Sequence, residues 1–445
     1  MRFERLSLKT RFVIGGIACA VALSVAATLF FVHNFRSPNI VLIVIDTLRA
    51  DHLPAYGYEK PTAPFLSRLA EEGVLFKKAQ SVSSWTAPAT ASIITSLYPF
   101  QHGVIDGYNY IKRRRVRNPE IRINQIPNTA DTLAEILKSH GYQTYAVADN
   151  LNICPELGFD QGFMHFIQRH EQGAGWIADI LKAWGRQINH GQPYFIYLHF
   201  NDPHYPYLRH EPWYGPQEDE FQDLLAAYDS EIRYVDEKIR ELYALFDWGK
   251  NTLLIITADH GEEFKEHGHI GHGKTLYQEV LHVPLIMSFP RRLMGPKIIT
   301  DPVSTLDVLP TVLDMLDISL PDKTAGISLT PYWDKKVPQI DSRPLLGYLR
   351  CVERECFLPV DGVLKSILAY PYKYLNVPGH EMLFHLPTDP QEQKDFLRAE
   401  PQRVNRLKSR MESLMQRYPR LDYEYQDIEL SPAFLDDLRS LGYLQ

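Results

Sequence analysis

Residues Leu253 to Lys274 read LLIITADHGEEFKEHGHIGHGK, and the first half of that stretch decides the architecture. Leu253, Leu254, Ile255, Ile256 and Thr257 run on without polar alternation, the pattern of a strand buried on both faces of a parallel sheet. The run stops at Ala258-Asp259-His260-Gly261. A carboxylate and an imidazole at the carboxyl end of such a strand stand where open α/β sheets bind ligands. His267, His269, His272 and Lys274 follow within one short loop. A polar loop with incidental histidines would read the same in isolation, so a second strand end has to supply the matching half.

Asn39 to Ile45 (NIVLIVI) supplies it: another unalternating strand, ending in Asp46. Outward from these two, helices and strands alternate. Thr62 to Glu72 reads as an amphipathic helix, with Phe65, Leu66 and Leu69 on one face and Gly73 closing it. Val74 to Phe76 is a short strand that leads to Ser83-Ser84-Trp85-Thr86-Ala87-Pro88. Pro88 suits a first helical turn, which Ala89 to Leu97 continues. Asp131 to His140 is a helix capped by Thr129 or Asp131 and ended by Gly141, and Tyr145 to Ala148 is a strand. Pro193 to Phe200 is a third buried strand, running into Asn201-Asp202-Pro203-His204. A long helix follows (Phe221 to Phe246), then the opening strand, a strand from Val283 to Phe289 and a helix from Asp307 to Leu316. This alternation predicts an α/β fold, a mostly parallel central sheet sandwiched by helices, over residues 39–330. Past Pro331 come short strands (Leu345 to Leu349, Ser366 to Tyr370, Tyr372 to Val377), the segment Leu383-Phe-His-Leu386 and a basic helix from Val404 to Tyr418. Residues 331–445 therefore read as a smaller α+β subdomain with a tail.

The amino terminus is of another kind. Phe12 to Val32 carries no charge and is long enough, at roughly 20 residues, to span a bilayer. Arg2, Arg5, Lys9 and Arg11 precede it, so residues 1–11 are expected in the cytoplasm and the body of the chain on the periplasmic or extracellular side. A cleaved signal peptide would have a shorter core; here Leu29 to Val32 continue past the small pair Ala26-Ala27. With a formal net charge of -7, the chain lacks the basic balance of a nucleic-acid binder. Ile111 to Arg117 is the most basic run, a solvated loop or a docking point for anionic lipid or substrate. Four cysteines are too few for a disulfide scaffold; Cys351 and Cys356 are near enough to close a small loop, and their spacing is not that of a zinc site.

If the strands that end in Asp46 and Asp259 are neighbours, two carboxylates and the His260 imidazole converge at one sheet edge. That donor set suits Zn²⁺ or Mn²⁺, with Mg²⁺ or Ca²⁺ as alternatives. One divalent ion there would lower the pKa of a bound hydroxyl and make a nucleophile of an alcohol. Thr86, immediately before a helix start where backbone N–H groups favour an anion, is the candidate. On its own such a threonine is an ordinary helix cap.

At these residues the chain resembles the sulfatase family, within the alkaline phosphatase superfamily. Asp46-Thr-Leu-Arg-Ala-Asp51 through Gly57-Tyr58 resembles its opening motif, and Ser84-Trp-Thr86-Ala-Pro88-Ala-Thr90 through Pro99-Phe-Gln-His102-Gly103 its nucleophile motif. Gly141-Tyr-Gln-Thr-Tyr145, Leu157-Gly-Phe-Asp-Gln-Gly-Phe163, His199-Phe-Asn-Asp-Pro-His204-Tyr-Pro-Tyr207, Thr257-Ala-Asp259-His260-Gly-Glu-Glu263 and Leu383 to Pro390 match further landmarks in the same order. The resemblance runs from Asn39 to about Arg410. It implies that Asp46, Thr86, Asp259 and His260 ligate the metal. It also implies that His204 and Lys274 contact the ester oxygens and protonate the leaving group, with His267, His269 or His272 as rivals in binding substrate.

Two positions depart from the pattern. Sulfatases place a Cys or Ser, converted to formylglycine, in a Cys/Ser-x-Pro-x-Arg frame; here the frame is Thr86-Ala-Pro88-Ala-Thr90, and a threonine cannot become that aldehyde. Threonine at this place resembles the phosphoethanolamine transferases and lipoteichoic acid synthases of the same superfamily. Thr47 stands where many sulfatases have a second Asp. The expectation is a membrane-anchored, metal-dependent hydrolase or phosphotransferase acting through Thr86 on an anionic phosphate ester, lipid- or glycan-linked. Three alternatives stand beside it: a sulfuric ester hydrolase without formylglycine, a two-metal phosphodiesterase with Asp202 and His204 or His272 on a second ion, and a catalytically degenerate, membrane-tethered binding protein.

Overall fold

A computed structural model describes residues 37–105, 124–188, 191–293, 295–332, 343–351 and 362–421. The expected anchor, the basic run from Ile111, Cys356 and the tail lie outside the described residues. Among the described residues, no helix is long and apolar enough to cross a membrane.

Eleven strands precede residue 305: β1 (Asn39–Ile45), β2 (Val74–Gln80), β3 (Gln143–Ala148), β4 (His165–Gln168), β5 (Tyr194–Phe200), β6 (Thr252–Thr257), β7 (Glu263–Phe264), β8 (Ile270–Gly271), β9 (His282–Val283), β10 (Leu285–Ser288) and β11 (Lys297–Ser304). Nine of them form one sheet in the order β11-β2-β10-β6-β1-β5-β3-β4, with β9 on β2. The sheet is mixed, with five parallel strand pairs and three antiparallel ones. β1 runs parallel to β5 and β6, whereas β10 is antiparallel to both β6 and β2. The single strand expected from Val283 to Phe289 is two pieces, β9 and β10, because Pro284 between them has no N–H to give a ladder. Its carbonyl instead accepts the Thr257 hydroxyl at 2.8 Å.

Unalternating apolar strands lie where burial is complete. Every residue of β5 and β6 is buried, and all of β1 after Asn39. Register then brings the strand ends level. Val44 of β1 pairs with Thr257 of β6 and with His199 of β5, and Ala148 of β3 pairs with the same His199. The residues that leave these four strands, Asp46, Asp259, Asn201 and Asn150, therefore emerge along one edge.

Helices cover the sheet: α1 (Pro64–Glu72), α2 (Thr86–Thr95), α3 (Leu133–Ser139), α4 (Gly173–Trp184), α5 (Glu220–Leu245) and α6 (Val308–Met315). α1 buries Phe65, Leu66, Leu69 and Ala70. Its first amides, which no helical carbonyl can reach, donate to the buried Asp236 carboxylate of α5, from Phe65 at 3.0 Å and from Leu66 at 2.8 Å. α3 begins later than expected. Its cap is Thr132, reciprocally bonded with Glu135, rather than Thr129 or Asp131. α2 is buried on every side, which its small residues (TAPATASIIT) permit.

The carboxyl-terminal part is a four-stranded antiparallel sheet, β12 (Leu345–Cys351), β13 (Gly362–Ala369), β14 (Tyr372–Val377) and β15 (His380–His385). Helix α7 (Pro401–Arg417) packs on it through Val404, Leu407 and Met411. Tyr98, Val82 and Leu306 close that second core. Cys351 is disulfide-bonded, and Cys154 is buried and in no disulfide.

Candidate active site

Asp46 follows β1, Asp259 and His260 follow β6, and Thr86 opens α2; all four are buried. Thr86 Oγ1 lies 3.5 Å from Asp46 Oδ2 and 3.4 Å from His260 Nε2. His260 Nε2 is 3.5 Å from Asp46 Oδ1 and 3.6 Å from Asp259 Oδ2. The four predicted ligands thus meet in one place, as their strand ends required. The conformation after each strand is tightly fixed. Thr47 takes a left-handed φ of 57°, unusual for a β-branched residue, and its hydroxyl donates to the Pro203 carbonyl at 2.6 Å. Gly261 passes so close to Glu279 that a Cβ would sit 2.1 Å from that carbonyl oxygen.

Charge in this cluster is unbalanced in a telling way. Asp46 Oδ1 and Asp259 Oδ2 are buried without a hydrogen-bond partner among the described residues. Burial and the Asp46 charge push the Asp259 carboxyl well above its usual range. Burial would raise Asp46 as well, but the neighbouring imidazoles of His199, His260 and His204 hold it below the carboxylate range. Burial, reinforced by His272, depresses the His260 imidazole to about 3. Two facing carboxylates with orphaned oxygens and a neutral imidazole are costly to bury alone. A divalent cation satisfies all three, and the potential ligand atoms of Asp46, Asp259 and His260 lie within 4.8 Å of one another.

Around this cluster the structure adds residues that sequence reading passed over. Asn150, just beyond β3, donates to Asp46 Oδ2 at 2.7 Å and to Asn201 Oδ1 at 2.8 Å. His199 Nε2 stands 3.5 Å from Asp46 Oδ2, and its Nδ1 meets the Tyr197 hydroxyl at 2.9 Å. Their signal was available, since each lies at or just past the end of a predicted strand. Asn150 and His199 both bear on the Asp46 carboxylate and set its orientation.

The other predicted residues divide. His272 lies beside His260, ring centroids 4.4 Å apart, and 5.0 Å from His204; its Nδ1 is 2.9 Å from Glu262 Oε1. Buried Glu262 also accepts from Tyr207 at 2.8 Å, and Arg49 binds the Glu262 carbonyl at 2.9 Å, tying the β7–β8 hairpin to the loop after β1. His204 sets Nδ1 against the Tyr205 carbonyl at 2.6 Å, which makes Nδ1–H the donor and leaves Nε2 as its acid–base atom. Lys274 folds back onto the Ile270 carbonyl at 2.9 Å, on a segment that Gly273 fastens to Ser84, two residues before Thr86, at 2.7 Å. His267 is held elsewhere. Its Nδ1 pairs with Glu279 at 2.7 Å, its Nε2 faces the Glu392 carbonyl, and its ring stacks on Tyr277. The expectation that His267 binds substrate has no geometric support here. Nor does Asp202 join His204 or His272. It turns to Ala174, whose amide donates to Oδ1 at 2.8 Å.

The profile of the sulfatase family matches residues 38–318. This chain belongs to the sulfatase family. A second profile, that of the N-sulphoglucosamine sulphohydrolase carboxyl-terminal region, matches residues 265–418. The chain is 24% identical over 391 residues to an arylsulfatase of Clostridium perfringens, covering 66% of this chain and 77% of that one. In fold it resembles a protein solved with its substrate D-glucosamine-2-N,6-O-disulfate (TM-score 0.71, 16% identity, 86% of this chain and 98% of the other). It also resembles the phosphonate monoester hydrolase of Agrobacterium radiobacter (TM-score 0.69, 18% identity, 86% and 96%). It is a sulfatase-family hydrolase, a family whose members typically depend on a divalent metal.

Proposed function

We propose that this sulfatase-family hydrolase acts on phosphate esters, with Thr86 as the nucleophile and Asp46, Asp259, His260 and the Thr86 hydroxyl as ligands of one divalent ion. The observation that carries the reading is the position of Thr86 Oγ1, within 3.5 Å of both Asp46 and His260. The ion would supply Lewis acidity, easing ionisation of that hydroxyl and offsetting charge on the ester's oxygens. Everything else is work for the chain. The N-terminus of α2 presents amides and the positive end of its dipole to the ester anion. Thr86 Oγ1 attacks phosphorus as its proton passes to solvent; the bond to the leaving oxygen breaks, and that oxygen takes a proton from His204 Nε2. His272, beside His260 and His204, and Lys274, once released from the Ile270 carbonyl, would be the donors to the non-bridging oxygens, where charge builds in the transition state. In a second step water or an acceptor alcohol attacks phospho-Thr86 and gives its proton to the now neutral His204 Nε2; the Oγ1–P bond breaks and Thr86 Oγ1 takes a proton from solvent.

This reading keeps the amino-terminal segment, Phe12 to Val32, as an anchor with the active site outside the cytoplasm. A sulfate ester is the second reading, favoured by the names of the relatives. Formylglycine chemistry is closed to a threonine, so sulfur would have to be attacked by the same hydroxyl. Thr86→Ala tests the assignment. Turnover of an aryl phosphodiester should fall by at least about 10³-fold while metal content stays unchanged. Wild-type turnover in that variant removes Thr86 from the mechanism, and sulfate release without phosphodiesterase activity selects the second reading.

A further inference from the structure

Beside the catalytic cluster lies a cavity of about 340 Å³ whose lining is acidic. Asp149, Glu171, Asp202 and Glu231 face it together with His204 and His210, and no lysine or arginine among the described residues lines it. Anions are disfavoured there. Three of these side chains converge: one ligand atom each from Asp202, His210 and Glu231 lies within 4.8 Å of the others. His210 Nε2 is 2.7 Å from Glu231 Oε2, and the other Glu231 oxygen accepts the Leu208 amide. That pair alone would read as a buried ion pair.

Asp202 makes it more. The residue is 9% exposed; Oδ1 accepts the Ala174 amide, and Oδ2 is buried with no hydrogen-bond partner among the described residues. An orphaned carboxylate oxygen beside a second carboxylate calls for a positive charge. A protonated amine would be met by the carboxylates alone. The imidazole of His210, held flat against Tyr234 with ring centroids 4.1 Å apart, adds a nitrogen donor. Two oxygens and one imidazole nitrogen are the donor set of a borderline divalent cation. Ligands of such an ion at about 2.1 Å lie roughly 3 to 4 Å apart, so small side-chain movements close the site. The cavity has room for water in the remaining positions.

We propose that Asp202, His210 and Glu231 bind a second divalent cation of the Zn²⁺ or Mn²⁺ class, distinct from the one at Asp46, Asp259 and His260. This ion joins both ends of the segment from Asn201 to His210 to helix α5, and thereby clasps the loop that presents His204. The site stands on its own geometry; only the consequence for His204 rests on the reading of the active site.

The test counts metal. The full-length chain is stripped with EDTA, dialysed against micromolar Mn²⁺ or Zn²⁺ and assayed by inductively coupled plasma mass spectrometry. Wild type should hold two ions per chain. Asp202→Asn, which keeps the acceptor for Ala174, should hold one, and so should His210→Gln, a second variant in case the first disturbs folding. Asp259→Asn should lose the other ion. One ion in wild type, with no loss in Asp202→Asn or His210→Gln, overturns the proposal. Loss in Asp202→Asn with none in Asp259→Asn would instead sink the catalytic reading and leave this one standing. Limited proteolysis reads the clasp: Mn²⁺ should slow cleavage between Asn201 and His210 in wild type and not in Asp202→Asn, and equal protection in both contradicts it.

Discussion

At the scale of single residues, the centre is a matter of which atoms are left wanting. Asp46 Oδ1 and Asp259 Oδ2 have no hydrogen-bond partner among the described residues, whereas Asp46 Oδ2 is held by Asn150 at 2.7 Å. Asn150 therefore fixes the carboxylate in the rotation that leaves Oδ1 for a cation. Asn150→Ala should weaken metal binding by about 10- to 100-fold, measured by titration calorimetry, with little change in thermal unfolding of the metal-free protein. An unchanged affinity would mean that Asn150 only fills space. Asp46, Thr86, Asp259 and His260 were legible from sequence because each sits at a strand end or a helix start, and such ends are visible as abrupt stops in apolar runs. The histidines of the Glu263–Lys274 segment were not separable that way. His267 and His272 differ by the partner each finds, Glu279 for one and Glu262 for the other. A histidine's partner is set by tertiary packing, which spacing does not encode. The same holds for Asp202 and His210, which are eight positions apart and meet only because the loop closes on α5.

At the scale of elements, the site depends on where helices and strands start. The helix from Leu133 is fixed by the reciprocal bonds of Thr132 and Glu135, and Thr132→Ala should cost about 1 kcal/mol in urea unfolding. A cost near zero would show that packing of Leu133 and Leu137 alone holds that start. The α1 start is built differently, on Asp236, whose carboxyl burial pushes up to about 6 while the amides of Leu66 and Phe65 pull it down. Its folded value exceeds the ordinary 3.8, so the folded chain holds a proton that the unfolded chain has lost between those values. The contribution of Asp236 is therefore most favourable below about pH 4 and declines as pH rises to about 6. Relative to Asp236→Asn, wild type should be more stable at about pH 4 than at about pH 7, by up to about 3 kcal/mol. The opposite slope in urea unfolding would contradict the assignment. Element boundaries were legible to within a few residues where a Pro or Gly marked them. They slipped where a side chain did the capping, as at Thr132, and where Pro284 split one expected strand into two.

At the scale of the whole molecule, the order of strands does what no single motif can. β1 lies between β6 and β5, so the two acids arrive from adjacent strands, while Asn150 and Asn201 come from the far side of β1. The alternation of elements made that edge predictable as a place. The mixed direction of the sheet was not predictable, because β10 carries the same apolar pattern whichever way it runs. Since Asp46 and Asp259 lie more than 200 residues apart in sequence, an ion bound between them would couple the halves of the sheet. Saturation with Mn²⁺ at about 100 times its dissociation constant should raise stability by roughly 2.7 kcal/mol per site, read as a higher thermal midpoint that EDTA reverses. A midpoint indifferent to cations would leave the cluster without an occupant. The most direct measurement is anomalous diffraction from crystals of the chain soaked in Mn²⁺. The account predicts a manganese peak within about 2.5 Å of Asp46 Oδ1, Asp259 Oδ2 and His260 Nε2, with Thr86 Oγ1 turned toward it. Manganese bound only elsewhere, with Thr86 turned away and the two carboxylates sharing a proton, would contradict it.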